Sequence, residues 1–374
     1  MLKSPDSPPV RSGEFFAAQL FLYHQPVAKS CSYPSSPCDG NRSSSVFRLR
    51  LANDVLVFFF GFCLIVGVGA IGELRAGSIV AWGLDSAGQV SKTPTASGYI
   101  SISGGLFNAY AIDEAGLISA WGWDTLGQVR NSPKSAGMRS VSAGALHAYA
   151  ITPDSRIAAW GDNYFNQVSG TPSDSGYLMA VAGSYHGFAL RVDGTIAAWG
   201  YNLEGIVDGA PKDSGYRMIA SGAYHGYALR SDGSIAAWGN DFYKQVSHTP
   251  TGGGFKAVAG GAHHGVALRV DGSVVAWGWD AFGQVSSAPT GSDFIAIASG
   301  YYHAYALRSD GTIVAWGDDR YGQVSQTPTH GRFGSIAAGG YQGFAIIPEP
   351  GTGVIGGGLL VLFGWRGRYR RRLP

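Results

Sequence analysis

The sequence predicts an all-β fold, a seven-bladed β-propeller closed by strands shared between its two ends, and three observations predict it. Trp-Gly recurs at Trp82, Trp121, Trp160, Trp199, Trp238, Trp277 and Trp316, always 39 residues apart and with no insertion or deletion. Self-similarity at such a period marks a stacked-repeat architecture. Between the Trp-Gly pairs, short runs of small apolar, β-branched and aromatic residues alternate with Gly-rich turns, the pattern of several short strands per repeat. The series also starts and stops out of phase: it opens at Gly77 with Ile79-Val-Ala-Trp82 and closes with Ser335-Ile-Ala-Ala-Gly339 and Gly343-Phe-Ala-Ile-Ile347. One blade is therefore expected to be completed by both ends, which removes the sheet edges that would otherwise be open to aggregation. A linear solenoid would need polar caps, and none is evident.

The unit from Tyr177 shows the elements in order. Tyr177-Leu-Met-Ala-Val-Ala182 reads as a first strand and His186-Gly-Phe-Ala-Leu-Arg191 as a second. Asp193-Gly194 supplies a hairpin turn because Gly accepts the positive φ that such turns demand, and Asp232-Gly233, Asp271-Gly272 and Asp310-Gly311 repeat it. Thr195-Ile-Ala-Ala-Trp199 reads as a third strand. A short fourth is expected around Ile206-Val207, or Gln284-Val285 in the more usual form, before a Pro that cannot donate to a ladder. One four-stranded sheet cannot bury both faces alone, whereas radial stacking of such sheets does.

Flanking segments read differently. Residues 1 to 45 are rich in Ser and Pro without period, as expected of a disordered stretch or a start codon assigned too early. In residues 46 to 70, Arg48 and Arg50 precede an apolar run from Val55 to Ala70 that ends in small residues, a signal-peptide pattern. The run is shorter than the roughly 20 residues of a membrane span; a buried strand or an uncleaved anchor are the competing readings, and export is the expectation. Cys31, Cys38 and Cys63 all precede the repeats, which can hold neither disulfides nor cysteine metal sites.

The net charge of +2 is dominated by Arg366, Arg368, Arg370, Arg371 and Arg372. Residues 77 to 347 carry 15 Lys and Arg against 19 Asp and Glu, a net charge of −4. That body lacks the basic footprint of a nucleic-acid partner.

The phrase Gly183-Ser-Tyr-His186, Ala189-Leu190, Asp193-Gly194, Trp199-Gly200, with the later Gly283-Gln284, resembles the regulator of chromosome condensation repeat over about Gly77 to Ile347. The resemblance implies a seven-bladed propeller. The eukaryotic founder of that family is a nucleotide exchange factor for a small nuclear GTPase and binds chromatin. The short loops Asp162-Asn-Tyr-Phe165 and Asp318-Asp-Arg-Tyr321 look more like the bacterial secreted branch, which includes a propeller-type inhibitor of β-lactamases. From residue 348 on, Pro348-Glu349-Pro350, an apolar Gly351-to-Trp365 stretch expected to be helical, and basic residues including Arg370, Arg371 and Arg372 resemble a PEP-CTERM sorting signal. That resemblance implies recognition by an exosortase-type processing enzyme and membrane attachment through the C-terminal segment.

His147, His186, His225, His264 and His303 share one repeat position with Asn108 and Gln342. Asn and Gln replace His as hydrogen-bonding groups but seldom as ligands, so a structural role is expected. No Ser/His/Asp set, phosphate loop or metal-spaced cluster stands out. No catalytic residue, metal or cofactor is expected, and the repeated Trp is read as core. The variable loops after Trp-Gly, with the residues before the His position, are the candidate binding face: Phe107, Trp123, Asp162, Tyr164, Phe165, Tyr185, Tyr201, Tyr224, Asp241, Phe242, Tyr243, Trp279, Tyr302, Asp318, Asp319, Tyr321 and Tyr341. Aromatic anchors with a few charges are what interface hot spots use. An exported, non-catalytic propeller that binds an extracellular protein or glycan is the expected function; an enzyme with a site at the channel mouth and a nucleotide exchange factor are the alternatives.

Overall fold

The computed structural model describes residues 58–60, 63–65 and 76–349. The chain divides into two units, Met1–Asp54, which lies outside the described residues, and Val55–Pro374. The expected C-terminal helix, with Pro350, Arg370, Arg371 and Arg372, also lies outside them. Among the described residues no helix is long and apolar enough to cross a membrane.

Three-stranded antiparallel sheets repeat along the chain, the arrangement of an all-β, propeller-type fold. In one sheet the strands are Tyr177–Ala182, His186–Arg191 and Ile196–Gly200; the next holds Tyr216–Ser221, His225–Arg230 and Ile235–Gly239. The middle strand is buried on both faces except at its terminal Arg. Such a strand reads as a continuous run of small and apolar residues rather than as an alternation. Between second and third strands the chain turns through Val192, Asp193 and Gly194, with Arg191 N–H bonded to Thr195 O at 2.9 Å and Gly194 N–H to Arg191 O at 3.0 Å. Gly194 sits at φ +80°, as the sequence predicted for Asp-Gly.

The expected fourth strand is not one. Gln284-Val285 and Ile206-Val207 lie in turns. The backbone there is committed elsewhere: the Gln284 carbonyl accepts the indole N–H of Trp316 at 3.0 Å, and its side-chain Oε1 accepts the Phe282 N–H at 2.8 Å. With Gly283 at φ +76° and the Gln284 carbonyl turned to the indole, the chain here is a turn rather than a ladder strand.

Adjacent sheets are joined through the recurrent Trp. Trp199 meets Tyr149 of the preceding repeat edge-on at 5.1 Å, Trp238 meets Phe188 at 5.0 Å and Trp277 meets Tyr227 at 5.2 Å. Each indole N–H reaches a carbonyl 32 residues back, at Gln167, Ile206 and Gln245 respectively. The same contact links the two ends of the repeat series, where Trp82 packs on Tyr305 at 5.3 Å and donates to Gln323 O at 3.1 Å. Gln342–Pro348 pairs antiparallel with Gly77–Gly83, from Gln342 opposite Gly83 to Pro348 opposite Gly77. Glu349 N–H adds a bond to Ala76 O. Two residues of the Pro-Glu-Pro motif are therefore tied to the fold.

Close packing elsewhere depends on a glycine. A Cβ on Gly222 would stand 2.6 Å from Gly261 O, and the same spacing separates Gly105 from Gly144 O and Gly339 from Gly105 O. Successive repeats approach there nearer than any side chain allows. Two short strands, Phe58–Phe60 and Cys63–Ile65, form a hairpin within the apolar run, and the second pairs antiparallel with Phe294–Ser299.

Candidate binding face

The loop after each Trp-Gly divides into fixed and free positions. The third residue after Trp is always Asp or Asn, and its Oδ1 accepts two backbone N–H groups further along the loop. Asp241 takes Val246 and Ser247, both at 2.9 Å, and Asp319 takes Val324 and Ser325, both at 2.8 Å. Burial pushes these carboxyls up, but the two N–H donors outweigh it and hold both below the usual carboxylate range. The sixth residue adopts positive φ and the seventh is Gln in six repeats. Its Nε2 donates to Asp162 Oδ2 at 2.8 Å from Gln167 and to Asp318 Oδ2 at 3.1 Å from Gln323. Asp318 is buried and also holds Arg320 at 2.9 Å. The four carboxylates of the candidate face thus have bonding roles inside their own loops.

At the sixth position five repeats have Gly, but Asn166 and Lys244 take φ +61° and +64°. A left-handed conformation costs a non-glycine residue roughly 1–2 kcal/mol. Lys244→Gly should therefore stabilise the protein by about 0.5–1 kcal/mol, once the greater freedom of Gly in the unfolded chain is deducted. Urea unfolding of the two proteins measures it, and a destabilised variant would show that the Lys244 side chain makes contacts worth more than the strain.

The fourth and fifth positions vary freely, the second is Asp or Asn bonded to the Gln in three repeats and aromatic in three others, and these three positions carry the loop's aromatic residues. Phe165 contacts Tyr164, Tyr185 and Tyr201 at 4.8, 5.3 and 4.7 Å, and Tyr224 closes this group against Tyr185 and Tyr201. A second group runs from Phe242 through Tyr243, His263, Trp279, Phe282 and Tyr302 to Tyr341 and Tyr321. Phe107 and Trp123 form a separate pair at 5.2 Å, and Trp123 Nε1 donates to Thr125 Oγ1. Within the groups the side chains are mostly half-buried, while Tyr164 (68%), Phe242 (77%) and Tyr321 (45%) stand out into solvent.

Between the loops that follow Trp199 and Trp238 lies an open groove of about 360 Å³. Leu203, Glu204, Asn240 and His263 line it beside Tyr201, Tyr224, Phe242 and Tyr243. The first four are not among the expected site residues. The repeat alignment could have flagged Leu203 and Glu204, which occupy the same variable positions as Phe242 and Tyr243, 39 residues on.

At the ends of the first strands, residues from Gly104 to Gly340 line a central cavity. Two large side chains interrupt its small-residue lining. Leu106 lies against Gly340, where a Cβ would meet Leu106 Cδ1 at 2.5 Å. Tyr301 reaches across to Ser184, with the two hydroxyl oxygens 3.3 Å apart; burial raises its phenol. Among the described residues no group of three His, Cys, Asp or Glu could hold a metal ion. The five repeated histidines are fully buried. His186 and His264 pair through Nε2 with the next repeat's Ser221 at 2.8 Å and Ser299 at 3.0 Å, while Gln342 donates to Gly105 O at 2.8 Å.

Residues 138–167, 219–245, 255–284 and 294–323 match the model of the regulator of chromosome condensation (RCC1) repeat. No curated protein sequence matches the chain significantly. Among solved structures, Prp20p from Saccharomyces cerevisiae, described with its binding to Gsp1p and histones, superposes with a TM-score of 0.63 at 16% identity, over 75% of this chain and 93% of that one. Human WBSCR16 gives 0.62 at 16% identity, over 73% and 99%. The CRINKLY ectodomain of the Arabidopsis thaliana receptor kinase ACR4 gives 0.55 at 21% identity, over 73% and 93%. Identities this low speak to the fold alone. Four segments of the chain thus carry the RCC1 repeat, and the chain shares its β-propeller-type fold with these structures.

Proposed function

We propose that the chain is an exported, non-catalytic binding module: a seven-bladed ring, closed by its two ends, that takes a protein or a glycan on the aromatic loop face. The observation that carries the reading is the division of labour within the loops. The recurrent loop geometry is maintained by the third, sixth and seventh positions after each Trp, whereas the loop aromatics bear none of that bonding, and Tyr164, Phe242 and Tyr321 protrude furthest among them. Ring closure is supported by the pairing of Gln342–Pro348 with Gly77–Gly83 and by seven Trp-Gly pairs. Against a site in the channel stand Leu106 and Tyr301, which occupy its lining. Export rests on the PEP-CTERM-like tail and on the signal-like run of residues 46–70, whose strand Cys63–Ile65 pairs with Phe294–Ser299 only while the run stays attached, with an exosortase-type enzyme as processing partner and the membrane as a transient or lasting anchor.

Replacing Tyr164, Tyr243 and Tyr321 together by Ala should abolish capture of the native partner from a cell-envelope extract while leaving the unfolding midpoint within a few degrees. Retention of the same partners by the triple variant would sink the assignment of this face. Mass measurement of both mature ends tests export: an N-terminus downstream of residue 70 and a C-terminus near Pro350 are expected.

A further inference from the structure

We propose that the groove between the loops after Trp199 and Trp238 is a saccharide site for a short, neutral oligosaccharide; this rests on the binding-face reading above and names its ligand class. The groove combines two properties. Its walls are aromatic, with Tyr201, Tyr224 and Tyr243 half-buried and Phe242 standing at the rim. A ring face set in such a wall offers an apolar platform to the C–H face of a pyranose. The groove also holds unused hydrogen-bonding groups. The hydroxyls of the three tyrosines and the Glu204 carboxylate have no hydrogen-bond partner among the described residues. Asn240 spends its Oδ1 on Phe242 N–H and Gln245 Nε2, at 3.1 and 2.6 Å, which leaves its Nδ2 to donate outward. His263 Nδ1 is also without a partner but is sealed from the groove, so it is not one of these groups.

Five unpaired polar groups among aromatic rings fit a polyol better than an apolar side chain. An inserted Leu or Phe would strip water from these groups and return nothing, at about 1–3 kcal/mol for each one left unsatisfied. A sugar ring offers hydroxyls that both donate and accept, and so can pair with phenols, an amide and a carboxylate together. Charge points the same way. Glu204 is the only formal charge lining the groove; burial lowers the His263 imidazole, which is neutral at pH 7. An anionic ligand would meet one carboxylate and no cation. The volume of about 360 Å³ lies in the range of small-ligand sites, about 300–1,000 Å³.

The test uses the full-length chain and four neutral probes, cellohexaose, maltohexaose, laminarihexaose and chitohexaose. Binding is read by calorimetry and by the change in intrinsic tryptophan fluorescence, to which Trp279, 5.4 Å from Tyr243, contributes. At least one probe should saturate in the micromolar-to-millimolar range. Tyr243→Ala and Phe242→Ala should each weaken it tenfold or more and Glu204→Gln several-fold, with unfolding midpoints unchanged. Trp123→Ala, on the separate Phe107–Trp123 pair, should leave it unaltered. No saturation by any probe at 10 mM overturns the proposal, as does binding that Tyr243→Ala and Phe242→Ala leave intact. If no probe binds while a captured protein is lost from the Tyr164/Tyr243/Tyr321 variant, the saccharide assignment alone is wrong. If that capture is also unaffected, the binding face itself is misassigned.

Discussion

Lowering the pH from 7 to 5 should remove about 10 kcal/mol of folding stability, enough to unfold a protein of ordinary stability. The cause is the five buried histidines at one repeat position. Burial lowers their imidazoles from 6.5 to about 4 at His147 and His303, and to about 3 at His186, His225 and His264. Mutual repulsion adds to this, since His186 faces His147 and His225, and His264 faces His225, His303 and His263. Asp280 near His264, and Asp318 and Asp319 near His303, pull the other way and do not reverse it. With folded values below the unfolded one, the unfolded chain binds more protons throughout the interval between them. The stabilisation is therefore complete above about pH 6.5 and declines as the pH falls toward 4 and 3. A tenfold difference in proton affinity between the folded and unfolded chain is worth about 1.4 kcal/mol. At pH 5 each histidine has lost about 2 kcal/mol and the five together about 10, against a typical total of about 5–15. Denaturant unfolding at pH 7.5, 6 and 5 measures the decline, and its slope should correspond to nearly five protons taken up at pH 5. His225→Asn, a residue the sequence itself places there at Asn108, should lower that uptake by one. A stability flat between pH 7 and 5 would mean that the imidazoles are hydrated in the folded state.

The sequence revealed what repeats and was silent on what meets across repeats. The strands, the Asp-Gly turns and the packing role of Trp all follow from short windows, because burial and positive φ act on neighbouring residues. The Gln-Val pair misled, since Val285 looks like the apolar member of a fourth strand. The partner that commits Gln284 is the indole of Trp316, 32 residues ahead. Asp162 and Asp318 looked free to face a ligand, yet Gln167 and Gln323 hold them within the loop. The aromatic face was legible as a list, because its members share repeat positions. Its division into two groups was not, and neither was the groove, which is the gap between two loops 39 residues apart. Tyr301 was missed for the same reason: its partner Ser184 lies 117 residues away, across the central cavity.

Replacing Trp238 by Ala should destabilise the protein by roughly 3–5 kcal/mol, the usual cost of emptying a buried indole site, and the subtler Trp→Phe pair shows what the indole N–H adds. Trp199 donates to Gln167 O at 3.0 Å, but that carbonyl also accepts the Tyr149 hydroxyl at 2.6 Å. Trp199→Phe leaves it satisfied. Trp238 donates to Ile206 O at 3.0 Å, and the residue equivalent to Tyr149 is Phe188, which has no hydroxyl to offer. Ile206 is fully buried. Trp238→Phe therefore strands a buried carbonyl, a loss of about 1–3 kcal/mol beyond the change in packing, and should cost about 1–2 kcal/mol more than Trp199→Phe in urea unfolding. Installing Phe188→Tyr on the Trp238→Phe background supplies the missing hydroxyl and should recover part of that difference. Equal costs for the two Trp→Phe variants would mean that water reaches Ile206 O, and the indole would then be an apolar wedge between sheets whose N–H contributes nothing.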